Sequence, residues 1–99
     1  MINNPVKEKS FNFAIRIIKL SKWLKKHNHF ELSQQIIRAG TSIGANVEEA
    51  LAGQSRKDFI AKMSIASKEA RETNYWLRLL IKSEVLPEKI CDSILNESE

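Results

Sequence analysis

The chain has 99 residues, of which 42% are hydrophobic, with a net charge of +4 and one cysteine. This length predicts a single domain over residues 1–99, and one cysteine excludes an internal disulfide. No run approaches the roughly 18 apolar residues of a membrane span, and residues 1–10 lack the apolar core of a secretion signal, so we expect a cytoplasmic protein with no membrane partner.

The first predicted helix runs from Pro5 to about Lys26, with Asn4 as its N-cap and Pro5 at its first position. Two neighbouring apolar rows cover about half of its circumference; these rows are Phe13, Ile17, Leu20 and Leu24, and Phe11, Ala14 and Ile18. The opposite arc is basic and carries Arg16, Lys19, Lys22, Trp23 and Lys26. The short connection at residues 27–29 predicts an antiparallel second helix.

The second predicted helix ends before Gly53, which suits a left-handed C-terminal cap. At its start, Asn28 and Glu31 have the spacing of a capping box. Apolar or small residues recur at steps of four and three and predict a packed seam, which consists of Leu32, Ile36, Ala39, Ile43, Asn46 and Ala50. Gly40 and Gly44 each cost about 1 kcal/mol against Ala inside a helix, so they predict close contact with another backbone.

The third predicted helix is the longest, from about Arg56 to Ser83, with Ser55 as its N-cap and a length of roughly 40 Å. Its regular seam consists of Phe59, Met63, Ala66, Ala70, Thr73, Leu77 and Leu80. Pro87 opens a fourth helix of about 15 Å that ends near Asn96. These elements predict an all-α fold, an up-down-up-down four-helix bundle with a short fourth helix.

The short fourth helix leaves part of the apolar surface of the first and third helices open. The candidates for this open surface are Ile15, Tyr75, Trp76, Leu79 and Ile81. Exposed apolar patches of roughly several hundred Å² usually mark an interface. We therefore predict a homo-oligomer.

Three polar residues share one face of the second helix, namely Ser42, Asn46 and Glu49. We interpret them as a structural hydrogen-bonded network to the third helix, with Arg71 or Glu72 as the partner, because a half-satisfied buried network is destabilising. The alternative is a polar site for a ligand or a partner. Arg38 is expected to pair with a carboxylate elsewhere, to face solvent or to lie at a subunit interface.

Patterns that support catalysis or metal binding are weak in this chain. His27 and His29 have no further metal ligand nearby apart from Glu31, and Cys91 has no His or Asp at a motif-specific distance. No Gly-rich phosphate loop follows a strand, and no facing carboxylate pair suggests acid–base catalysis. We therefore predict that the protein is not an enzyme and has no metal site and no cofactor.

The net charge is distributed unevenly along the chain. Residues 1–29 carry a net +6, whereas residues 30–53 carry −2, residues 54–84 carry +3 and residues 85–99 carry −3. Lysine and arginine neutralise phosphates, and an exposed indole stacks on an unpaired base. These properties predict an RNA or DNA interface without sequence preference on the first helix, made of Arg16, Lys19, Lys22, Trp23 and Lys26.

The basic arc also has alternative interpretations. It is equally typical of a solvated helix face with Trp23 partly buried at its edge, or of a surface that meets a neighbouring subunit of opposite charge. A further alternative is an adaptor without a nucleic-acid role. Such an adaptor binds a partner protein through the small-residue face of the second helix and through Tyr75 and Trp76.

One segment carries a more specific pattern, Q-x-x-R-A-x-x-S-I-x-x-N-x-x-E, which is met at Gln35, Arg38, Ala39, Ser42, Ile43, Asn46 and Glu49. Together with residues 55–60 and Glu72, this pattern resembles the four-helix bundle family named for the 23S rRNA intervening-sequence protein, over residues 11–86. The resemblance implies a ring-shaped homopentamer. It also implies a fold similar to that of an accessory protein of diversity-generating retroelements, which binds nucleic acid and a reverse transcriptase through basic surfaces.

Overall fold

The computed structural model describes residues 4–86 together with Ile94 and Glu97. Three helices lie in this part of the chain: α1 (Pro5–Lys26), α2 (Phe30–Ala52) and α3 (Arg56–Lys82). The all-α prediction is confirmed there, since residues 4–86 contain no strand. The fourth helix predicted over residues 87–96 lies, apart from Ile94, outside the described residues. None of the described helices combines the length and the hydrophobicity that a membrane crossing requires.

Local side-chain caps start two of the three helices. The Asn4 Oδ1 atom accepts hydrogen bonds from the backbone N–H groups of Val6 at 3.0 Å and Lys7 at 3.1 Å. The Ser55 Oγ atom accepts one from the N–H of Asp58, also at 3.0 Å. Both caps satisfy amides that have no partner inside their helix, and both predicted N-caps are confirmed.

Two other predicted caps are wrong. Asn28 is left-handed, with a φ of 68°, and helps to end α1, because the next N–H, that of His29, returns to the Leu24 carbonyl oxygen at 2.8 Å. The N-cap of α2 is therefore His29, without a side-chain cap bond, and there is no Asn28–Glu31 capping box. Gly53 is extended, with φ −62° and ψ 146°, because the chain turns directly into the Ser55 cap of α3.

Helix α2 packs against both of the other helices, whereas no Cα atom of α1 lies within 8 Å of a Cα atom of α3. The residues after α3 contribute to the same core through Leu86 and Ile94. One buried cluster therefore joins all the described elements, and it consists of Phe13, Ile17, Leu20, Leu24, Ile36, Leu77, Leu80, Leu86 and Ile94. The first apolar row of α1 is buried throughout, as its periodicity predicts.

The apolar side chains are not equally shielded from solvent along the bundle. Leu77 and Leu80 near the end of α3 are buried, whereas Phe59 at its start is 41% exposed. The second apolar row of α1 is also uncovered, since Phe11 is 57% exposed and Ile18 is exposed as well. Apolar periodicity alone does not distinguish a row that meets another helix from a row that meets solvent.

Helices α1 and α2 run antiparallel and touch closely at three points. The Ser33 Oγ atom donates to the Ser21 carbonyl oxygen at 2.9 Å near one end, and Gly44 faces the backbone of Ser10 towards the other. Between them, a Cβ atom added at Gly40 would lie 2.7 Å from two side-chain carbons of the fully buried Ile17. The absence of a side chain at position 40 therefore sets the spacing of the two helices.

Gly40→Ala is expected to lower the free energy of unfolding by about 2 kcal/mol, because overpacking against Ile17 outweighs the helix propensity gained from Ala. Urea unfolding followed by circular dichroism measures this change. Gly44→Ala is the matched control with a smaller expected effect, since its nearest contact, the Ser10 carbonyl oxygen, would lie at 3.3 Å. Combining Gly40→Ala with Ile17→Ala should cost less than the sum of the two changes. A more stable Gly40→Ala variant would contradict this packing.

Candidate nucleic-acid interface

The five predicted contact residues of α1 differ in their exposure. Lys19, Lys22 and Lys26 are exposed, whereas Arg16 and Trp23 are half-buried. The Arg16 guanidinium forms an ion pair with the Glu97 carboxylate, which brings a C-terminal residue onto the side of α1. Of the five predicted contact residues, the three lysines are therefore the exposed cations, whereas Arg16 is engaged within the protein.

Trp23 is placed differently from the predicted exposed stacking platform. Its side chain packs against the core cluster, and its ring stacks on His27 with a centroid separation of 4.0 Å and an interplanar angle of 23°. The His27 Nδ1 atom lies 2.9 Å from the Trp23 carbonyl oxygen, which holds the imidazole in place. Because one indole face is already covered, a nucleic-acid base has less access to this ring than the sequence predicts.

The lysines of α1 are all exposed, two of them near the start of the helix and four in its last two turns, and we call this set the lysine run. Helix α1 carries a single acid, Glu8, at its first turn. Within residues 4–86 and at positions 94 and 97, no lysine of the run has an ion-pair partner, since the ion pairs found there all involve arginine. The members of the lysine run are Lys7, Lys9, Lys19, Lys22, Lys25 and Lys26.

A separate ionic cluster joins α2 to α3. The Arg38 Nη1 atom donates to Glu69 Oε2 at 3.2 Å, and its Nη2 atom pairs with the Glu72 carboxylate. Glu72 also accepts a hydrogen bond from Trp76 Nε1 at 3.1 Å. Pairing of Arg38 with a carboxylate is one of the outcomes that the sequence allows. Glu72, which the sequence predicts as a partner of the Ser42, Asn46 and Glu49 face, contacts Arg38 instead. Glu69 was missed, although it lies one helical turn before Glu72.

The remaining members of the predicted polar network stay within one helix. The Asn46 Nδ2 atom donates to the Ser42 carbonyl oxygen at 2.8 Å and to its Oγ atom at 3.3 Å, both inside α2. Glu49 is exposed on the same helix. Arg71 donates to Ser67 on its own helix. Among these described polar residues, Arg38 therefore reaches from α2 to α3, whereas Ser42 and Asn46 bond within α2.

Arg38→Met is expected to lower the free energy of unfolding by about 2 kcal/mol, because it leaves the Glu69 carboxylate without its cation. The Glu69 side chain is 10% exposed, whereas that of Arg38 is 51% exposed, so the loss is smaller than for a fully buried pair. Adding Glu69→Gln should recover part of the loss in the same urea titration. Arg78→Met is the control, because Arg78 is exposed on α3. An equal loss in the free energy of unfolding from this variant would contradict a specific contribution of the Arg38 cluster.

Two hollows flank the lysine run. One, of about 500 Å³, lies between α1 and the residues after α3. The other, of about 240 Å³, lies between α1 and α2 and is lined by apolar residues, serines and two lysines. In the described part of the chain, no three His, Cys, Asp or Glu side chains converge on a point that would suit a metal ion.

The small-residue face of α2 is already occupied within the chain. Gly40 and Gly44 pack on α1, and Ala39 is completely buried. An external partner therefore cannot reach Ala39, Gly40 or Gly44 in the folded protein, whereas Ala45 is exposed. Of the aromatic pair on α3, Tyr75 is exposed and Trp76 is half-buried, with their rings edge to face at a centroid distance of 5.5 Å.

The chain is similar to one protein family and to a protein of known structure. Residues 3–99 match the family described as 23S rRNA-intervening sequence protein. A crystal structure of a protein with unknown function from the S23 ribosomal protein family of Bacteroides thetaiotaomicron shares 53% sequence identity with the chain, at a TM-score of 0.91. The similarity covers 94% of this chain and 87% of that one. No curated protein matches the chain.

Proposed function

The chain belongs to the 23S rRNA-intervening sequence protein family, and from this premise we propose that it is a non-enzymatic homo-oligomer that binds RNA or DNA without sequence preference. The lysine run of α1 is the observation that supports the proposal. Six exposed ammonium groups with one acid on the same helix create a positive potential that no ion pair in the described residues cancels. Such a surface attracts a polyanion and releases its counterions on binding.

Assembly into a homo-oligomer is supported by an apolar surface on α1 and α2, which we call the outer face. On α1, the apolar positions 11, 15 and 18 follow steps of four and three, which is the spacing of a helix-packing seam. On α2, Phe30 is 52% exposed beside them, and Ile37 is half-buried. The outer face consists of Phe11, Ile15, Ile18, Phe30 and Ile37.

A copy of the same chain is a suitable partner for the outer face. Contact between copies removes exposed apolar side chains from water, and it brings the lysines that it leaves exposed onto one particle. Lys22 and Lys25 border this contact, because they line one hollow with Ile18, Phe30 and Ile37. Repetition strengthens binding to a long polyanion, because the second contact is made at a high effective concentration. A ring of five copies is the assembly that the family resemblance implies.

Titration of a labelled short single-stranded RNA tests this function, with duplex DNA in parallel. We expect the affinity to fall at least about tenfold between roughly 50 and 200 mM salt, because each phosphate contact releases a counterion. RNAs of different sequence should bind equally well. Absence of binding at low salt, or binding that does not change with salt, would contradict the proposal. A protein partner captured after nuclease treatment would favour the adaptor, with Tyr75 as its exposed aromatic contact.

A further inference from the structure

The outer face continues into charged residues at both of its ends. On α2, the positions that follow Phe30 at steps of four and three form one row along the helix, which ends at Glu48. Every member of this row is exposed or half-buried, and the members are Phe30, Gln34, Ile37, Thr41, Ala45 and Glu48. On α1, the same steps give a row of exposed residues, namely Glu8, Phe11, Ile15, Ile18, Lys22 and Lys25.

The two acids of these rows lie together, and we call them the acid end. Gly44 faces the backbone of Ser10 across the antiparallel helices, so Glu48, one turn after Gly44, lies at about the level of Glu8. Lys7 is exposed close to them. The acid end therefore has one net negative charge when this lysine is included.

The opposite end of the outer face is positive, and we call it the lysine end. It consists of Lys22 and Lys25, which line the smaller hollow, of about 240 Å³, together with Phe30. Neither these lysines nor the two acids form an ion pair with any of the described residues. Both ends are therefore available to charges on another molecule.

The rows are centred at the same level of the bundle. The midpoint of the α1 row lies beside Ile17, and the midpoint of the α2 row lies beside Gly40. These two residues are in direct contact between the helices. A two-fold axis at this level, in the plane of the face and perpendicular to the helices, therefore places each end of one copy on the opposite end of the other.

This orientation is electrostatically better than the other two-fold arrangement of the same face. An axis parallel to the helices would bring two lysine ends together, which is repulsive. The perpendicular axis brings the lysine end onto the acid end of the partner, and it brings Ile15 to the partner's Ile18. Apolar contact in the middle and opposite charges at both ends then agree.

We propose that a second copy of the chain packs on the outer face in this antiparallel orientation, with Glu48 of the partner subunit at the smaller hollow, beside Lys22 and Lys25. The inference rests on the proposed assembly through the outer face and needs no nucleic acid. A two-fold contact joins chains in pairs, so the particle should contain an even number of chains, unlike the ring of five that the resemblance implies.

Charge reversal at the two ends tests this orientation. Glu48→Lys and Lys25→Glu should each raise the dissociation constant about tenfold in sedimentation analysis at low salt, because each lost pair occurs twice in a two-fold contact. When the two variants are mixed, unlike chains should associate as tightly as the parent, since position 48 of each chain again meets an opposite charge at position 25 of the other.

Glu49→Lys is the matched control for Glu48→Lys. Glu49 is exposed on α2 but lies off the row, and its reversal changes the net charge by the same amount. We expect its dissociation constant to stay within about twofold of the parent value. Circular dichroism should show the same helix content for all of these variants, because the substituted side chains are exposed.

Four results would overturn the inference: a monomeric parent, an odd number of chains, equal effects of the position 48 and position 49 variants, or a mixture that associates no better than its components. An odd-numbered ring that binds RNA would keep the proposed function and lose only this contact. A pair of chains with the expected charge effects but without RNA binding would keep this contact and lose the nucleic-acid function, so the two failures are distinguishable.

Discussion

Reversing three charges of the lysine run, with Lys19→Glu, Lys22→Glu and Lys26→Glu, is expected to lower the affinity for single-stranded RNA by about 100-fold or more at moderate salt. Each substitution removes a phosphate contact and adds a repulsion. The three side chains are exposed, so the fold should persist. Fluorescence anisotropy measures the affinity, and circular dichroism measures the remaining helix content.

Neutral substitutions at the same positions separate local contacts from repulsion. The Gln variant at positions 19, 22 and 26 should reduce the slope of log affinity against log salt by about 2, since each contact to a single strand contributes about 0.7. This change in slope is independent of the absolute affinity. An unchanged slope would mean that these lysines do not touch phosphate.

A control with the same change in net charge is available on α3. Lys57, Lys68 and Lys82 are all exposed, and their replacement by Glu alters the charge of the protein by the same amount. We expect a much smaller loss of RNA affinity from this variant. Equal losses from the α1 and α3 variants would show that net charge, and not the surface of α1, controls binding.

Placing carboxylates on the outer face is expected to dissociate the assembly. With Ile15→Asp and Ile18→Asp, two apolar contacts between copies become charges that lose their hydration when buried, at a cost of several kcal/mol. In size-exclusion chromatography with light scattering, the unsubstituted protein should have a multiple of the 11.4 kDa chain mass. The substituted protein should have the mass of a single chain.

Asn12→Asp serves as the matched control, because it introduces an acid at an exposed polar position of the same helix. The assembly should survive this change. Dissociated variants should also bind long RNA more weakly than the parent, because the lysine runs no longer act together. An unsubstituted protein that is monomeric at high concentration would contradict the assembly, and an intact oligomer with both aspartates would place the interface elsewhere.

Short-range features of this protein were predictable because they depend on neighbouring residues. The bounds of α1, the Asn4 and Ser55 caps and the buried row of α1 follow from helix periodicity and from amides that need an acceptor nearby. Of the candidate interface, the sequence alone indicated a basic arc on α1. The outward position of Lys19 and Lys22 follows from the same periodicity.

Tertiary contacts decided the rest. Trp23 is half-buried, Arg16 is tied to Glu97, and Arg38 is paired with Glu69, all through packing or contacts with residues outside their own helices. Sequence periodicity identifies apolar and charged faces, but it does not specify which face of one helix meets another. The sequence by itself therefore determined three amphipathic helices and the positive charge of the first one. Only the packing determined which cations remain unpaired and where a cavity lies beside them, because the burial of a side chain depends on residues that are distant in the sequence.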